Sequence, residues 1–190
     1  SNTNRIAGGI TSRSGTFNFL HNGEASTDYS EAIGGLTLHG SLAINTSQAA
    51  EGHTSTVALG AVTRNAGGTL RISGTGAGDS TRNAVTFTSG ITATNSVVPW
   101  AVIYNGTTYN FVNVSGSNLV PLTSYDTASS DAGWTSTTNA RPSGDFTASG
   151  SMSVNSLILD NGVDITVATL DKTYTFTSGG IFQTGGTSSI

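Results

Sequence analysis

Short runs in which apolar and polar residues alternate recur along the chain, and most of them begin or end at glycine. Clear examples are Gly35–Gly40, Gly68–Gly74, Ala84–Gly90 and Thr173–Gly180. Alternation with a period of two places every second side chain on one face of an extended strand. Glycine suits positions where the backbone turns or passes close to a neighbour. The pattern therefore predicts many short strands that bury their faces only by stacking on one another.

The same pattern argues against helices, because no stretch longer than a few residues has the i, i+3, i+4, i+7 apolar spacing of an amphipathic helix. We therefore predict an all-β chain, with polar loops at 47–53 and 75–82. The predicted strands are Gly15–Leu20, Leu36–His39, Leu42–Asn45, Thr56–Leu59, Thr69–Ser73, Ala84–Thr88, Ser151–Val154, Ser156–Leu159, Asp164–Val167 and Thr173–Thr177.

The character of the chain changes near residue 97. Two alternating runs, Val97–Tyr104 and Thr107–Val112, flank the dipeptide Asn105-Gly106. Asn-Gly between such runs is a strong local signal for a tight antiparallel hairpin. We predict an inserted hairpin and loop region at about 97–140, which includes the start of the polar connection that begins at Thr127 and ends at Gly144.

Short strands with glycine and asparagine at the corners favour a parallel β-helix, in which each coil contacts only its neighbours. Stacked asparagine or threonine side chains can satisfy one another in such a fold. We predict a single β-solenoid segment over residues 1–190. The alternative all-β architecture is an antiparallel β-sandwich, but only Asn105-Gly106 and Asn161-Gly162 are persuasive tight turns.

Composition narrows the function classes. Only 9% of the 190 residues are charged, the net charge is −4 and there is no cysteine. The scattered arginines form no basic stripe, so we predict no nucleic-acid partner. No apolar run reaches the length of a membrane span, so we predict no membrane insertion. Without cysteine the chain has neither disulfides nor thiolate metal sites.

Candidate chemistry is sparse. The acids in the second half are Asp126, Asp131, Asp145, Asp160, Asp164 and Asp171, with no D-x-D or E-x-E pair among them. His21, His39 and His53 are far apart in sequence and form neither an i, i+4 nor an H-x-H pair, so they lack the spacing of a metal site. The phrase Gly74–Asp79 is similar to a calcium turn but occurs once, whereas calcium-binding solenoids repeat it. We predict no catalytic, cofactor or metal-binding residue, and no enzyme activity.

Aromatic residues concentrate in the predicted insertion. They are Trp100, Tyr104, Tyr109, Phe111 and Trp134, with Tyr125 between them. Two interpretations are open for these rings. They could stack against the sugar rings of a surface glycan, or they could pack over the side of a solenoid that has few large apolar residues elsewhere.

The order of several phrases resembles the autotransporter-associated β-strand repeat proteins, a family of very large secreted or surface proteins of bacteria. The phrases are Arg5–Ser12, Gly34–Leu38, Ala66–Gly76, Pro99–Val102, Leu122–Tyr125, Asn155–Asp160 and Phe176–Ile181. The resemblance implies a right-handed parallel β-helix in an extracellular passenger or fibre, with no catalytic residues to carry over. The chain starts at Ser1 and stops inside another such phrase, which indicates one repeat of a longer array.

These observations predict a structural element of a bacterial extracellular or cell-surface fibre or adhesin. Its expected partners are like repeats or copies of itself, stacked head-to-tail, and surface glycans. The alternative is a polysaccharide-binding or polysaccharide-degrading β-helix protein.

Overall fold

The computed structural model describes residues 6, 8–21, 27–168 and 171–190. Arg5 and Ala7, from the first phrase of the resemblance, lie outside the described residues. Within the described part all regular structure is β, with thirteen strands and no helix. The contacts divide the chain into two compact units. Unit 1 comprises Ser1–Ala93 and Trp100–Pro121, and unit 2 comprises Thr94–Pro99 and Leu122–Ile190.

Unit 1 contains most of the larger sheet, in which most of the strand pairs are parallel. Its strands are β1 (Ile10–Phe19), β2 (Tyr29–Thr46), β3 (Ser55–Arg64), β4 (Thr69–Ser73), β5 (Ala84–Ser89), β6 (Val98–Tyr104), β7 (Tyr109–Ser115) and β8 (Asn118–Pro121). Strand β2 is long enough to pair with β3 along its first half and with β4 along its second half. Parallel pairs also join β1 to β2, β3 to β5 and β4 to β6.

The register shows where each coil of unit 1 closes. Tyr29 lies opposite Ser55, and Thr56 on that same strand lies opposite Ala84. Leu70 lies opposite Ala101 in the same parallel sense. Each coil thus returns to the same place on the sheet after one circuit, which is the geometry of a β-solenoid. The predicted parallel β-helix is confirmed, and the parallel pairing excludes the antiparallel sandwich.

Alternation along each strand builds the core of unit 1. Ile44, Ile72 and Ile103 occupy one register position on three successive coils and are each 0% exposed. Burying an isoleucine side chain fully is worth about 1.5–3 kcal/mol. Because no coil could bury its own isoleucine, this stabilisation exists only in the stack.

Glycines in unit 1 mark points where one coil passes close to the backbone of the next. A Cβ added to Gly60 would lie 2.7 Å from the carbonyl carbon of Gly34 on the preceding coil, and a Cβ on Gly9 would lie 3.2 Å from the oxygen of Gly35. The repeated glycine phrases of the sequence are therefore sites of close approach between coils.

The predicted hairpin is confirmed and is longer than expected. Strands β6 and β7 are neighbours, and Asn105 N donates to Thr108 O at 3.2 Å across the turn. Strand β8 then pairs antiparallel with β7, and Thr86 of β5 lies opposite Asn118 of β8. The first hairpin strand, β6, also continues the parallel stack through its pairing with β4.

Unit 2 is a second parallel stack with shorter coils. Its strands are β9 (Asn139–Ala140), β10 (Phe146–Ala148), β11 (Met152–Leu159), β12 (Ile165–Val167) and β13 (Tyr174–Gln183). Parallel pairs join β9 to β11, β11 to β13 and β10 to β12. Ala140 lies opposite Leu157 on the next coil, and Leu157 lies opposite Ile181 on the coil after that.

The polar connection predicted at 127–144 is instead a coil of unit 2. Asp126 forms a parallel bridge with Ala140, so the chain completes a short circuit between them. Trp134, in the middle of this segment, belongs to the hydrophobic core cluster of the unit. The strands in this region were missed because they are too short to show an alternation.

Substituting alanine at Gly60 tests this close approach. We expect Gly60→Ala to lower the free energy of unfolding by about 1–3 kcal/mol, because the backbone of the adjacent coil must move aside. Gly15→Ala is the matched control, since a Cβ there meets nothing within 4 Å. Urea denaturation measures both variants. Equal stability of the two would show that the coils are not tightly packed at Gly60.

Candidate functional site

The structure separates the predicted aromatic residues into two groups. Phe111 is 1% exposed in unit 1, and Trp134 is 8% exposed in unit 2. The Trp134 ring contacts Phe146 edge-on, with centroids 5.4 Å apart. These two rings are packing residues, and neither offers a face to a sugar.

Trp100, Tyr104 and Tyr109 are half-buried in unit 1. The guanidinium carbon of Arg64 lies 5.6 Å from the centroid of the Trp100 ring. The rings of Tyr104 and Tyr109 lie 4.6 Å apart across the hairpin, and the Tyr104 hydroxyl donates to Gly106 O at 3.0 Å. Each ring thus has a partner within its own unit: the tyrosine pair stabilises the hairpin itself, and Arg64 joins Trp100 to strand β3.

A polar groove lies where the corner loops leave the stack of unit 1. Its volume is about 410 Å³, and His21, Thr75, Arg82 and the segment 46–50 line it. The His21 ring stacks on Tyr29 with centroids 4.0 Å apart. The Arg82 guanidinium donates to Ala49 O at 2.8 Å, so it ties one loop to another. The guanidinium of Arg82 in this groove is therefore engaged in a structural hydrogen bond to a loop carbonyl.

Several carboxylates bind backbone N–H groups of a later coil. Asp145 Oδ1 accepts from Asp164 N at 2.9 Å, and Asp164 Oδ1 accepts from Ser189 N at 2.6 Å. Asp131 Oδ2 likewise accepts from Ser149 N at 2.9 Å. Among the described residues no group of three or more His, Cys, Asp or Glu could hold a metal ion. The same part of the chain contains no helix long and apolar enough to cross a membrane.

Arg141 and Asp160 form a bidentate ion pair between adjacent coils of unit 2. Arg141 Nε and Nη2 each donate to one carboxylate oxygen of Asp160 at 2.8 Å. Thr184, one coil further, donates to the same carboxylate at 3.1 Å. On the other side the guanidinium carbon lies 5.8 Å from the Tyr125 ring centroid. The hydrogen bonds from Arg141 lower the pKa of Asp160, and the same pair raises the pKa of Arg141.

An asparagine ladder crosses unit 2 at Asn155, which is 0% exposed. Asn155 Nδ2 donates to Asn139 Oδ1 at 2.7 Å and to Thr94 O at 3.1 Å. Asn95 Nδ2 donates to Asn155 Oδ1 at 3.3 Å, and Ser156 Oγ donates to Asn139 Oδ1 at 2.8 Å. A buried amide is costly without partners, and here the Asn155 amide is satisfied by a neighbouring coil and loop.

Strands β1 and β13 are the first and last strands of the described chain, and each pairs with a single other strand. Strand β1 pairs only with β2, and β13 pairs only with β11, in the described part of the chain. We name these the N-terminal edge (Ile10–Phe19) and the C-terminal edge (Tyr174–Gln183). A strand that pairs on one side only can accept a further strand on its other side.

Apolar side chains remain uncovered beside these edges. The exposed large hydrophobic residues of the described chain are Leu20 at 63%, Ile181 at 51% and Ile190 at 47%. Tyr174 and Phe176 on the C-terminal edge pack against the core of unit 2 but are only partly buried. Inward side chains of a terminal coil are covered from one side alone. The two edges are therefore the candidate functional surface.

Comparison with known proteins identified no related protein. No family model matches the chain, and no curated protein and no solved structure matches it either. The resemblance to the autotransporter-associated repeat family therefore stays a prediction that rests on the order of its phrases.

Sequence reasoning did not find the Arg141–Asp160 pair or the asparagine ladder. A signal for the ladder was present, because Asn155-Ser156 interrupts the largely apolar strand from Met152 to Leu159. Polar residues inside such a run must find buried partners. The ion pair had no comparable signal, since its partners lie far apart in sequence on different coils.

Removing the Asn155 side chain tests the ladder. We expect Asn155→Ala to lower the free energy of unfolding by about 1–3 kcal/mol, because buried partners lose their hydrogen bonds. Asn18→Ala is the control, because Asn18 Oδ1 also accepts a hydrogen bond from an asparagine of the next coil, Asn45 Nδ2 at 2.8 Å, but at an exposed position. We expect Asn18→Ala to lower the free energy of unfolding by less than about 0.5 kcal/mol. Urea denaturation measures both variants. A similar loss for both variants would contradict a special role for the buried ladder.

The ion pair predicts a dependence of stability on pH. Because the folded pKa of Asp160 is lowered from 3.8, the ionised carboxyl stabilises the fold above that unfolded value. The contribution disappears as the pH falls through the lowered folded pKa. We expect Asp160→Asn to cost about 1 kcal/mol near neutral pH, since solvent partly screens the pair.

The difference between wild type and Asp160→Asn should then shrink steadily as acid is added below about pH 4. Thermal unfolding of both proteins at a series of pH values from neutral to acidic measures this difference in stability. Asp171→Asn serves as the control, because the Asp171 side chain is 83% exposed. A difference independent of pH would mean that the ionised form of Asp160 is not what stabilises the coil.

Proposed function

We propose that this chain is a structural β-solenoid element of a bacterial extracellular or cell-surface fibre, and that it stacks end-to-end with like repeats. The observation that carries the proposal is that β1 and β13, the first and last strands, each pair with a single other strand in the described part of the chain. Each would gain a row of backbone hydrogen bonds and cover its half-buried apolar side chains by accepting another coil.

The composition of the edges supports association. Natural sheets guard exposed edges with lysine, proline or other charges that discourage pairing. The C-terminal edge contains no charged residue and no proline, and the N-terminal edge contains one charge, Arg13. Both strands are ten residues long. The first and last strands are therefore long and almost uncharged, which favours pairing with a further strand over a monomer whose edges are protected.

The use of polar groups also supports a mechanical role. The carboxylates of Asp131, Asp145 and Asp164 each bind backbone of another coil, and Asp160 binds an arginine. Groups that hold coils in register are not spare for binding a reactant. A scaffold needs such cross-coil bonds, whereas a catalytic groove needs carboxylates that face a substrate.

A lysine on the C-terminal edge tests the proposal. We expect the wild-type chain to form concentration-dependent assemblies in light scattering and elongated particles in electron micrographs. Ile181→Lys should require at least about tenfold more protein for the same assembly, because a charge must be desolvated at the edge. Thr69→Lys is the control, since Thr69 is exposed on a strand with both edges paired. Wild-type chains that stay monomeric at high concentration would refute the proposed function.

A further inference from the structure

We propose that unit 1 binds an acidic polysaccharide, a linear polymer whose sugars carry carboxylates. The binding surface lies where strand β2 passes from its pairing with β3 to its pairing with β4. Four exposed residues, Arg13, His39, Arg64 and Arg71, line this surface, which we name the cationic corner. The proposal goes beyond the proposed function, because it requires a folded unit 1 but no contact between copies.

The register of the strands brings three of these residues together, although they are far apart in sequence. Ser12 lies opposite Leu38 on the second coil, and Leu38 lies opposite Arg64 on the third. Arg13 and His39 directly follow Ser12 and Leu38 in the sequence. Neighbouring strands are about 4.8 Å apart. Arg13, His39 and Arg64 therefore form a row that runs along the stacking direction.

Arg71 adds a further cation on strand β4. Its sequence neighbours Leu70 and Ile72 are 1% and 0% exposed in the core, so the Arg71 side chain projects to the outer face of the strand. On that face it lies between Ala43 of β2 and Val102 of β6, neither of which carries a charge. No carboxylate of the described chain forms an ion pair with Arg71.

The guanidinium of Arg64 is held on the same side of the corner. Arg64 Nε donates to Gly68 O at 2.8 Å, and Gly68 directly precedes β4. The guanidinium carbon lies 5.6 Å from the centroid of the Trp100 ring. These two contacts restrict the side chain before a ligand arrives, which lowers the entropy lost on binding. The bond to Gly68 uses Nε, and in the described part of the chain no acceptor is bonded to the two Nη groups, which suit a carboxylate.

The acidic side chains of unit 1 lie away from this corner. Glu31 is 1% exposed and faces the core. Asp28 accepts from Thr54 N at 2.8 Å, just before β3, and Asp79 lies in the loop that precedes β5. Glu51 lies in the turn between β2 and β3. Strands β1 to β4 thus expose three arginines and no carboxylate, on a chain whose net charge is −4.

Hydroxyl groups flank the cations on both sides. The register places hydroxyl residues opposite one another in two rows, one on each side of the corner: Thr11, Thr37 and Thr63, and then Ser14, Ser41 and Thr69. Serine and threonine hydroxyls both donate and accept hydrogen bonds, as the hydroxyls of a sugar do. A polymer laid along the corner would therefore meet cations for its carboxylates and hydroxyls for its sugar rings.

The same surroundings disfavour a nucleic acid as the partner. Proteins that bind single strands present aromatic rings on which the bases stack. The ring nearest to the corner is Trp100, which is half-buried and lies against the Arg64 guanidinium. The net charge of −4 also opposes a polymer as densely charged as a phosphate backbone.

Affinity electrophoresis in native gels that contain polygalacturonate tests the proposal. We expect the gel with polygalacturonate to retard the wild-type chain, and a gel with fully methyl-esterified polygalacturonate to leave its mobility unchanged. Because the protein and the polymer are both anionic, retardation requires a local positive surface. Added salt should weaken it, since exposed charges are screened.

Three variants locate the binding surface, and circular dichroism melts verify that each is folded. We expect Arg71→Gln to weaken binding about tenfold, because it removes one charged contact with a carboxylate. Arg71→Lys should lie between Arg71→Gln and wild type, since it keeps the charge but loses the bidentate geometry. Lys172→Gln is the matched control, because it removes one positive charge from unit 2, where Lys172 Nζ lies 3.7 Å from Asp171. We expect it to change binding less than about twofold.

Several outcomes would overturn the proposal. These are no retardation of the wild-type chain, equal retardation by the esterified polymer, and equal weakening by Arg71→Gln and Lys172→Gln. Tighter binding to a single-stranded oligodeoxynucleotide of equal charge would assign the corner to a nucleic acid instead. Light scattering on the wild-type chain tests stacking separately, so polygalacturonate binding by a chain that stays monomeric would refute the proposed function alone.

Discussion

The structure depends on one interaction, the parallel pairing of each coil with the coils before and after it. Backbone N–H and C=O groups of an extended strand cannot bond within that strand, and no single strand buries its own apolar face. Both needs are met only by the neighbours, so each interior coil is stabilised from two sides and each terminal coil from one. The partly buried Tyr174 and Phe176 are the direct consequence at one end.

The same constraint determines what the polar side chains do. Because coils lie about 4.8 Å apart, a carboxylate or amide on one coil reaches backbone and side chains of the next. Asp164, Asp160 and Asn155 all bond in this way, and each bond fixes the register of two coils. Polar groups that in a globular enzyme would line a cleft are here part of the stack.

How much of this could be predicted depended on strand length. The alternation located Thr69–Ser73 at its observed bounds, and Asn105-Gly106 placed the hairpin turn. It did not find Asn139–Ala140, because so short a strand carries no period. The number of residues in each coil could not be predicted from the sequence either, because it varies widely along the chain. The circuit from Asp126 to Ala140 is less than half as long as the one from Leu70 to Ala101. The hydrogen-bond partners between coils therefore could not be predicted without the structure.

Close approaches at glycine explain how the stack keeps its register with few distinctive side chains. Backbone pairing alone is indifferent to sequence, so a flat strand could pair at more than one position. A Cβ on Gly60 would lie 2.7 Å from the carbonyl carbon of Gly34, so a slip that placed a larger residue there would press a side chain against the backbone of the adjacent coil. A slip of one position would also turn inward isoleucines such as Ile44 and Ile72 to solvent. Backbone shape and inward side chains together therefore fix the register of the coils, although the chain has very few charged groups.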